Sequence, residues 1–292
     1  MSVGIPVYNG ERYIAEALDS VLAQDYPDLE IVISDNASTD QTRAICKKYA
    51  RNDSRIRYRR NQQNLGASAN FKQAAKLAQG EYFTWLAADD VLVQPDYLST
   101  LAHYLDENPD IVLCGSSVEV FIEEDPNAGS KYVLEGVAPE REWREARKEF
   151  FRWPQTANHH VIYGLYRREH LLKVPIGGRV HRGEPVVLDI EYPILSGMAN
   201  YGRIVALPDV SRGYRSHAFG SAMRDIERLS KFSHYWLATT MKYHLLKRAI
   251  SLNVPRAEKL ELIRLTLTNF LHQPSGRMPE FRQMVHSLRR EA

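Results

Sequence analysis

Two mainly apolar runs, Ser2–Val7 (SVGIPV) and Leu29–Ser34 (LEIVIS), bracket an amphipathic stretch, and this constrains the fold more than any other feature of the chain. A strand that is apolar on both faces must be covered on both faces, which is the condition of a parallel sheet wrapped by helices. Between the runs, Glu11–Gln24 places Tyr13, Ile14, Ala17, Leu18, Val21 and Leu22 at helical spacing. The alternation continues. The spacing predicts a helix over Thr42–Ala50, a short strand at Ile56–Tyr58, a helix over Ser68–Ala78 closed by Gly80, and a strand at Tyr82–Leu86. Repeated β-α-β units with short connections predict a doubly wound, mostly parallel α/β sheet.

Beyond residue 90 the pattern loosens. Pro95–Glu107 reads as a helix, Ile111–Cys114 as a strand, Glu123–Gly136 as a turn-rich exposed excursion and Val161–Arg167 as an alternating strand. Glu169–Leu172 and Asp189–Met198 read as further helices. From Arg224 onward, Leu229–Leu252 and Ala257–Leu271 read as amphipathic helices, followed by a third segment. The expected organisation is one α/β domain over residues 1–222 and a helical extension over 223–292.

The charge balance separates partner classes. The 292 residues carry 38 Lys/Arg against 36 Asp/Glu, a net charge of +2, which argues against a nucleic-acid partner. The stretch from Arg224 onward holds 13 Lys/Arg against 6 Asp/Glu. It is read first as a solvated basic face and second as a contact with an anionic membrane surface or a partner helix. Cys46 and Cys114 lack metal or redox spacing and are expected to be buried free thiols. No window approaches the ~18–20 apolar residues of a membrane helix. The first residues run into a strand pattern without a basic and apolar leader. The expectation is a cytoplasmic protein, peripheral at most at the inner membrane face.

In open α/β sheets ligands bind at the carboxyl ends of the strands. The loops there are Pro6–Glu11, Asp35–Asp40 and Ala87–Asp90, rich in carboxylates and amides. Neither GxGxxG nor GxxxxGK[ST] follows the first strand, which weakens a dinucleotide dehydrogenase and a P-loop NTPase. A nucleoside diphosphate can instead be held through a divalent cation, Mg²⁺ or Mn²⁺, on strand-end carboxylates such as Asp89-Asp90. A helix cap explains an isolated Asp-Asp pair equally well.

The stretches VGIPVYNGERYIAEALDSVLAQDYPDLEIVISDNASTD, NLGASANFKQAAKLAQGEYFTWLAADD and YRSHAFGS together resemble the family 2 glycosyltransferases of the GT-A fold, over roughly residues 2 to 221. The resemblance implies an inverting, metal-assisted transfer of a sugar, hexosyl in the usual case, from a nucleotide sugar, UDP-linked before GDP or dTDP. The implied acceptor is a hydroxyl of a glycan or lipid-linked molecule, as in polysaccharide biosynthesis. Residue by residue it places Pro6, Tyr8 and Glu11 against base and ribose, and Asp35 on the base. Asn36 stands where the family often has a second aspartate. Ser38 and Asp40 match the structural cap of that loop. Asn64, Gly66 and Asn70 fall on the diphosphate side.

The family's metal motif falls on Ala87-Ala88-Asp89-Asp90, so its first aspartate is replaced by Ala87 and the cation rests on Asp89, with Asp90 assisting. Asp189 matches the general base, with Glu191 and then Glu184 as alternatives. Tyr214-Arg215-Ser216-His217 matches a Y-R-x-H element, implying His217 at the metal or diphosphate, and Arg212 and Arg215 at the phosphates. Trp153 and Asn158–His160 are candidates to face the acceptor. Two rivals stay open. One is a nucleotidyltransferase; the other is a non-catalytic sugar-nucleotide-binding scaffold, which the loss at Ala87 keeps in view. The C-terminal helices leave room for a homodimer.

Overall fold

The computed structural model describes residues 1–122, 130–151, 157–176, 180–181, 184–185, 191–216 and 245–271. In chain order the elements are β1 (Ser2–Val7), α1 (Ile14–Leu22), β2 (Glu30–Asp35), α2 (Thr42–Asn52), β3 (Ile56–Arg60), α3 (Ala67–Leu77), β4 (Tyr82–Trp85) and β5 (Val91–Leu92). There follow α4 (Tyr97–Glu107), β6 (Ile111–Ile122), β7 (Ser130–Tyr132), α5 (Trp143–Lys148), β8 (Leu165–Arg167) and α6 (Arg168–Leu171). The last are β9 (Val180–His181), β10 (Glu184–Pro185), α7 (Glu191–Met198), β11 (Arg203–Ser216) and α8 (Arg256–Leu271).

One sheet runs in the order β3-β2-β1-β4-β8-β6-β11-β5, with β7 added on β6. Its long ladders, β3–β2, β2–β1, β1–β4 and β6–β11, are parallel, as the apolar runs require. β1 is buried along its whole length, and α1 turns Ile14, Ala17, Leu18 and Val21 inward onto it. Pro6 is tolerated inside this central strand for a local reason. The β1–β4 ladder covers only Ser2–Gly4, so the missing N–H of Pro6 points past its end.

The second half departs from the expected elements. Ile111–Cys114 is the start of a long strand, β6, that pairs with a 14-residue β11 which periodicity did not reveal. The register slips between Leu207 and Ser211. Such a bulge adds residues on one side and re-aims the rest of the strand. Residues Val161–Tyr163, expected in a strand, close a 3-10 turn, and only Leu165–Arg167 enters the sheet. Tyr166 holds the turn by donating its hydroxyl to the Ile162 carbonyl at 2.7 Å. The expected excursion after Glu123 lies partly outside the described residues; where it is described, β7 pairs with β6 and Gly136 and Val137 are buried. Both cysteines are buried and free, and burial pushes the Cys46 thiol up to about 12.

The boundary expected at 222–223 lies outside the described residues. Leu245, Ala249, Leu252 and Leu262 nevertheless join the same apolar core as Phe150, Val161 and Met198. α8 is also tied to α5 by charge: Arg147 donates to Glu258, both side chains nearly buried, while Arg144 and Lys148 reach Glu261. No helix among the described residues is long and apolar enough to cross a membrane.

Removing one member of a buried pair strands the other charge, which costs about 3 kcal/mol or more. Arg147→Ala should therefore lower urea stability by about 3 kcal/mol, and Arg147→Leu combined with Glu258→Leu should restore most of it. A silent single variant would show that the last helix is not held there.

Candidate active site

The carboxyl ends of β1 and β2 are joined by a reciprocal lacing of two loops. Asn9 N–H donates to Ser38 Oγ at 3.0 Å, Gly10 N–H to Thr42 Oγ1 at 2.8 Å and Glu11 N–H to Asp40 Oδ2 at 3.1 Å. In return Thr39 N–H donates to Asn9 Oδ1 and Gln41 N–H to Glu11 Oε2, each at 2.8 Å. Asp40 also takes the Thr42 N–H at 3.0 Å, one residue ahead of where the helix is capped. Burial works against ionised Asp40, but the hydrogen bonds from Thr42 and Glu11 outweigh it and hold the carboxyl below its ordinary range. Asn9 and Ala37 sit at positive φ, 52° and 64°. For alanine that conformation costs about 1 kcal/mol, which the lacing sustains.

Within this frame the residues expected at the nucleotide divide into two kinds. Tyr8 is 48% exposed at the strand end, an aromatic face left in solvent. Pro6 is buried in β1, and Glu11 spends one carboxylate oxygen on the second loop. Asp35 is fully buried: Oδ1 accepts from Ser38 N–H, and Oδ2 faces the Tyr58 hydroxyl and Arg60 Nε. Burial and this carboxylate together push the Tyr58 phenol well above its ordinary range.

Asn70, expected toward the diphosphate, is turned inward. Its amide donates to the Ser34 and Val7 carbonyls and its oxygen accepts from Ser34 Oγ and Asn61, so the group is fully used in joining α3 to the strand ends. Asn36 does similar work, accepting from Leu65 N–H and Asn61 and donating to Asn64 Oδ1 and the Gly66 carbonyl. Gly66 has φ 82°, which a side chain would resist.

The Ala87–Asp90 turn closes with Asp90 N–H on the Ala87 carbonyl and feeds β5, which pairs antiparallel with Arg212-Gly213 of β11. Gly213 is required by this approach: a β-carbon there would meet the Phe121 ring at 2.5 Å and Val91 at 2.6 Å. The pairing delivers Arg212 to Asp90. Both are nearly fully buried, with Nη1 to Oδ2 at 2.8 Å, and the second oxygen of Asp90 takes the Arg215 N–H at 3.0 Å. Arg212 also reaches His160 Nδ1 at 3.1 Å and lies 4.4 Å above the Tyr163 ring. Arginine only donates, so His160 Nδ1 accepts and its ring hydrogen is on Nε2. Sequence reasoning left His160 without a partner, because the signal lies in a pairing between residues 160 and 212.

Arg215, on the other face of β11, donates through Nε to the Asp89 carbonyl at 3.1 Å and through Nη2 to Glu16 at 2.6 Å, and stacks 4.9 Å from Tyr13. Asp89 itself is half-buried at the turn. Glu191, the first residue of α7, belongs to the same neighbourhood. Burial, then the charges of Asp90 and Glu191, raise the Tyr163 phenol well above its ordinary range. Asp189, His217 and Trp153 lie outside the described residues, and Glu184 is placed only by its backbone in β10.

A divalent cation in such a site is bound by one or two carboxylates plus the oxygens of a substrate's phosphates. The donor chemistry here fits that mode in its sparse form. Ala87 offers no ligand and both oxygens of Asp90 are committed, leaving Asp89 as the carboxylate on this turn. Among the described residues no group of three or more His, Cys, Asp or Glu is poised for a metal.

The sequence profile described as glycosyl transferase family 2 matches residues 2–174. This chain belongs to glycosyltransferase family 2. An uncharacterised protein of Mycobacterium tuberculosis is 31% identical over 255 residues, 83% of this chain and 67% of its own length. An uncharacterised glycosyltransferase of Haemophilus influenzae is 32% identical over 74% of this chain and 65% of its own length. The chain thus spans about two thirds of these relatives. Abequosyltransferase RfbV of Salmonella typhimurium is 43% identical over 117 residues, 39% of this chain and 35% of its own. Among solved structures, S. aureus TarS in complex with UDP-GlcNAc superposes with a TM-score of 0.69 at 21% identity, over 94% of this chain and 74% of that one. The fold of this family 2 member is accordingly of the GT-A type.

The buried Asp90 gives a pH signature. Burial pushes its carboxyl up to about 6, and Arg212 pulls the other way. A folded value above the ordinary 3.8 means that protonation favours the fold. Its contribution is complete below about pH 4 and is lost as pH rises through 6. The stability of the wild type relative to Asp90→Asn should fall by about 3 kcal/mol across that window and level off above it. Urea midpoints measured from pH 4 to 8 check this, and a difference that rises with pH contradicts it.

Proposed function

We propose that this chain transfers a sugar, with inversion, from a nucleoside-diphosphate sugar, UDP-linked in the first instance, to a hydroxyl of a glycan or lipid-linked acceptor. One observation carries this: an exposed aromatic, Tyr8, the half-buried Asp89 and the cation Arg215 follow one another along the carboxyl edge of the sheet. That order suits a base, a diphosphate and a sugar laid end to end. The nucleotide stacks on Tyr8, while Asp35, expected on the base but fully buried and engaged by Ser38 N–H and Tyr58, acts by fixing the loop beneath it. Asp89 would hold the divalent cation, Mg²⁺ or Mn²⁺, which supplies charge neutralisation for the diphosphate when bound. Arg215 adds a positive charge at the leaving group, where charge develops in the transition state.

Asp189, two residues ahead of α7, removes the proton from the attacking hydroxyl; Glu191 is the alternative base. The hydroxyl oxygen bonds to the anomeric carbon as the bond to the diphosphate oxygen breaks. Asp90, Arg212 and Asn70 act in this scheme by holding the turn and strand ends, not by touching substrate. Two structural neighbours support the donor class: TarS was solved with UDP-GlcNAc, and a Pyrobaculum calidifontis mannosyltransferase (TM-score 0.55, 20% identity, covering 98% of this chain and 79% of that one) with GDP-Man and Mn²⁺.

Calorimetric titration with UDP, GDP and dTDP, each with and without Mn²⁺, tests the reading. One nucleotide should bind in a metal-dependent manner, Asp89→Ala should abolish the metal dependence, and Tyr8→Ala should weaken binding roughly five- to a hundredfold through lost stacking. Absence of binding by every nucleotide under both conditions would overturn it.

Once a donor is chosen, Asp189→Asn should leave nucleotide binding intact and slow nucleotide release from that sugar donor by roughly 10²- to 10⁴-fold. If Glu191→Gln alone produced that loss, the base would be Glu191.

A further inference from the structure

The densest unassigned charge on the molecule is on α2 and β3. Residues 42–60 contain eight Lys/Arg and a single acid, Asp53, in a chain whose net charge is only +2. Three of the eight have carboxylate partners: Arg55 with Asp53, Arg57 with Glu30 and Arg60 with Asp35. Arg43, Lys47, Lys48, Arg51 and Arg59 are exposed and form no ion pair among the described residues.

Their arrangement works against the helix that carries them. Arg43, Lys47 and Arg51 recur every fourth residue, so they stack on one face of α2 with Lys48 beside them. Like charges at that spacing repel and destabilise a helix. Arg43 stands in the first turn, which has no acid and where the helix dipole disfavours a cation. β3 is the edge strand, and exposed charge on it is explained as protection against edge pairing. That explanation does not reach α2. A charged face that costs its own helix and finds no counter-charge among the described residues points to a counterpart outside the chain.

We infer that this face docks on a bilayer surface with anionic headgroups. The five cations are spread over a helix face and the neighbouring strand, as suits a plane of charge. None of the exposed members of the face is aromatic, so it offers no platform for stacking bases as a single-stranded nucleic acid would need. Apart from these 19 residues, whose net charge is +7, and the equally basic stretch from Arg224 onward, the chain is acidic by 12, so a negative surface attracts this edge and repels the acidic part of the α/β domain. Arg43 follows the laced loop and Arg59, next to last in β3, pairs in register with Ser34 near the end of β2, so docking on this edge brings the rim that carries Tyr8 near the bilayer plane. The inference is independent of the proposed transfer reaction.

Co-sedimentation of the full chain with phosphatidylglycerol/phosphatidylcholine vesicles and with pure phosphatidylcholine vesicles tests it. Each basic residue at an anionic surface strengthens partition about fivefold, so Arg43→Gln/Lys47→Gln/Arg51→Gln should weaken binding roughly a hundredfold. Its melting temperature should not fall, since repulsion is removed. The control Arg256→Gln/Arg264→Gln, on exposed positions of α8, should bind like the wild type, and about 0.5 M salt should release the protein. The inference is overturned by an absence of binding to anionic vesicles, by a triple variant that binds normally, or by loss in the α8 control. Tighter retention by a single-stranded oligonucleotide than by the vesicles, lost in the same triple variant, would also overturn it and reassign the face.

Discussion

Bringing Asp90 and Arg212 together out of water costs several kcal/mol per charge, and only close geometry with every remaining hydrogen-bonding position filled offsets it. Here each oxygen of the carboxylate and both terminal nitrogens of the guanidinium have a partner. The two oxygens of Asp90 take one guanidinium N–H and one backbone N–H, and the guanidinium continues to His160 and lies on Tyr163. The pair is what fastens the turn after β4 to β11, elements more than a hundred residues apart in sequence. Asp89 precedes one partner and Arg215 follows the other, so their relative placement depends on it. Asp90 therefore contributes to the site by setting where its neighbours stand.

The other half of the edge is fixed differently, by many weak bonds instead of one strong pair. Each contact between the loop after β1 and the loop after β2 is a neutral or singly charged hydrogen bond, worth of order 1 kcal/mol net. Five of them run in both directions between the same short segments, so neither loop can shift without breaking several. This is enough to hold Ala37 at positive φ. It also keeps Tyr8 on a rigid mount although its ring is in solvent, which limits the entropy a stacking ligand must remove.

The parallel half of the sheet was legible because β1 and β2 are apolar on both faces and α1 keeps strict helical spacing. The mixed half was not. β8 is three residues, β5 is two, and β11 alternates irregularly around a bulge, so no window of sequence carries its period. At the site, residue type and place were readable but direction was not. Asp90, Arg212 and Asn70 have the chemistry of ligand-binding groups and stand beside the expected site, yet each is buried and engaged by protein partners. Nothing in the local sequence distinguishes Asp90 from Asp89, one residue away, or Arg212 from Arg215, three away; for the arginines alternation along β11 does so only once the strand is known. His160 was read only as facing the acceptor, and its place against Arg212 was hidden for the same reason.

Arginine at position 212 is demanded by geometry as much as by charge. A lysine has one compact ammonium whose three donors diverge from a point, whereas the guanidinium is a plane with donors along its edge. Only the plane can face Asp90 and His160 through separate nitrogens while its surface covers Tyr163. The same flatness lets the charge be buried over Tyr163 and near Tyr214, 6.0 Å away, because the rings present their electron-rich faces where water would otherwise be needed. On the opposite face of β11, Arg215 repeats the solution in a half-exposed form, with Tyr13 beneath it and Glu16 and the Asp89 carbonyl at its edge. The strand thus carries one arginine that is closed off and structural. An odd number of positions further on, and so on the other face, it carries another that keeps an edge toward solvent, where an anionic ligand can reach it.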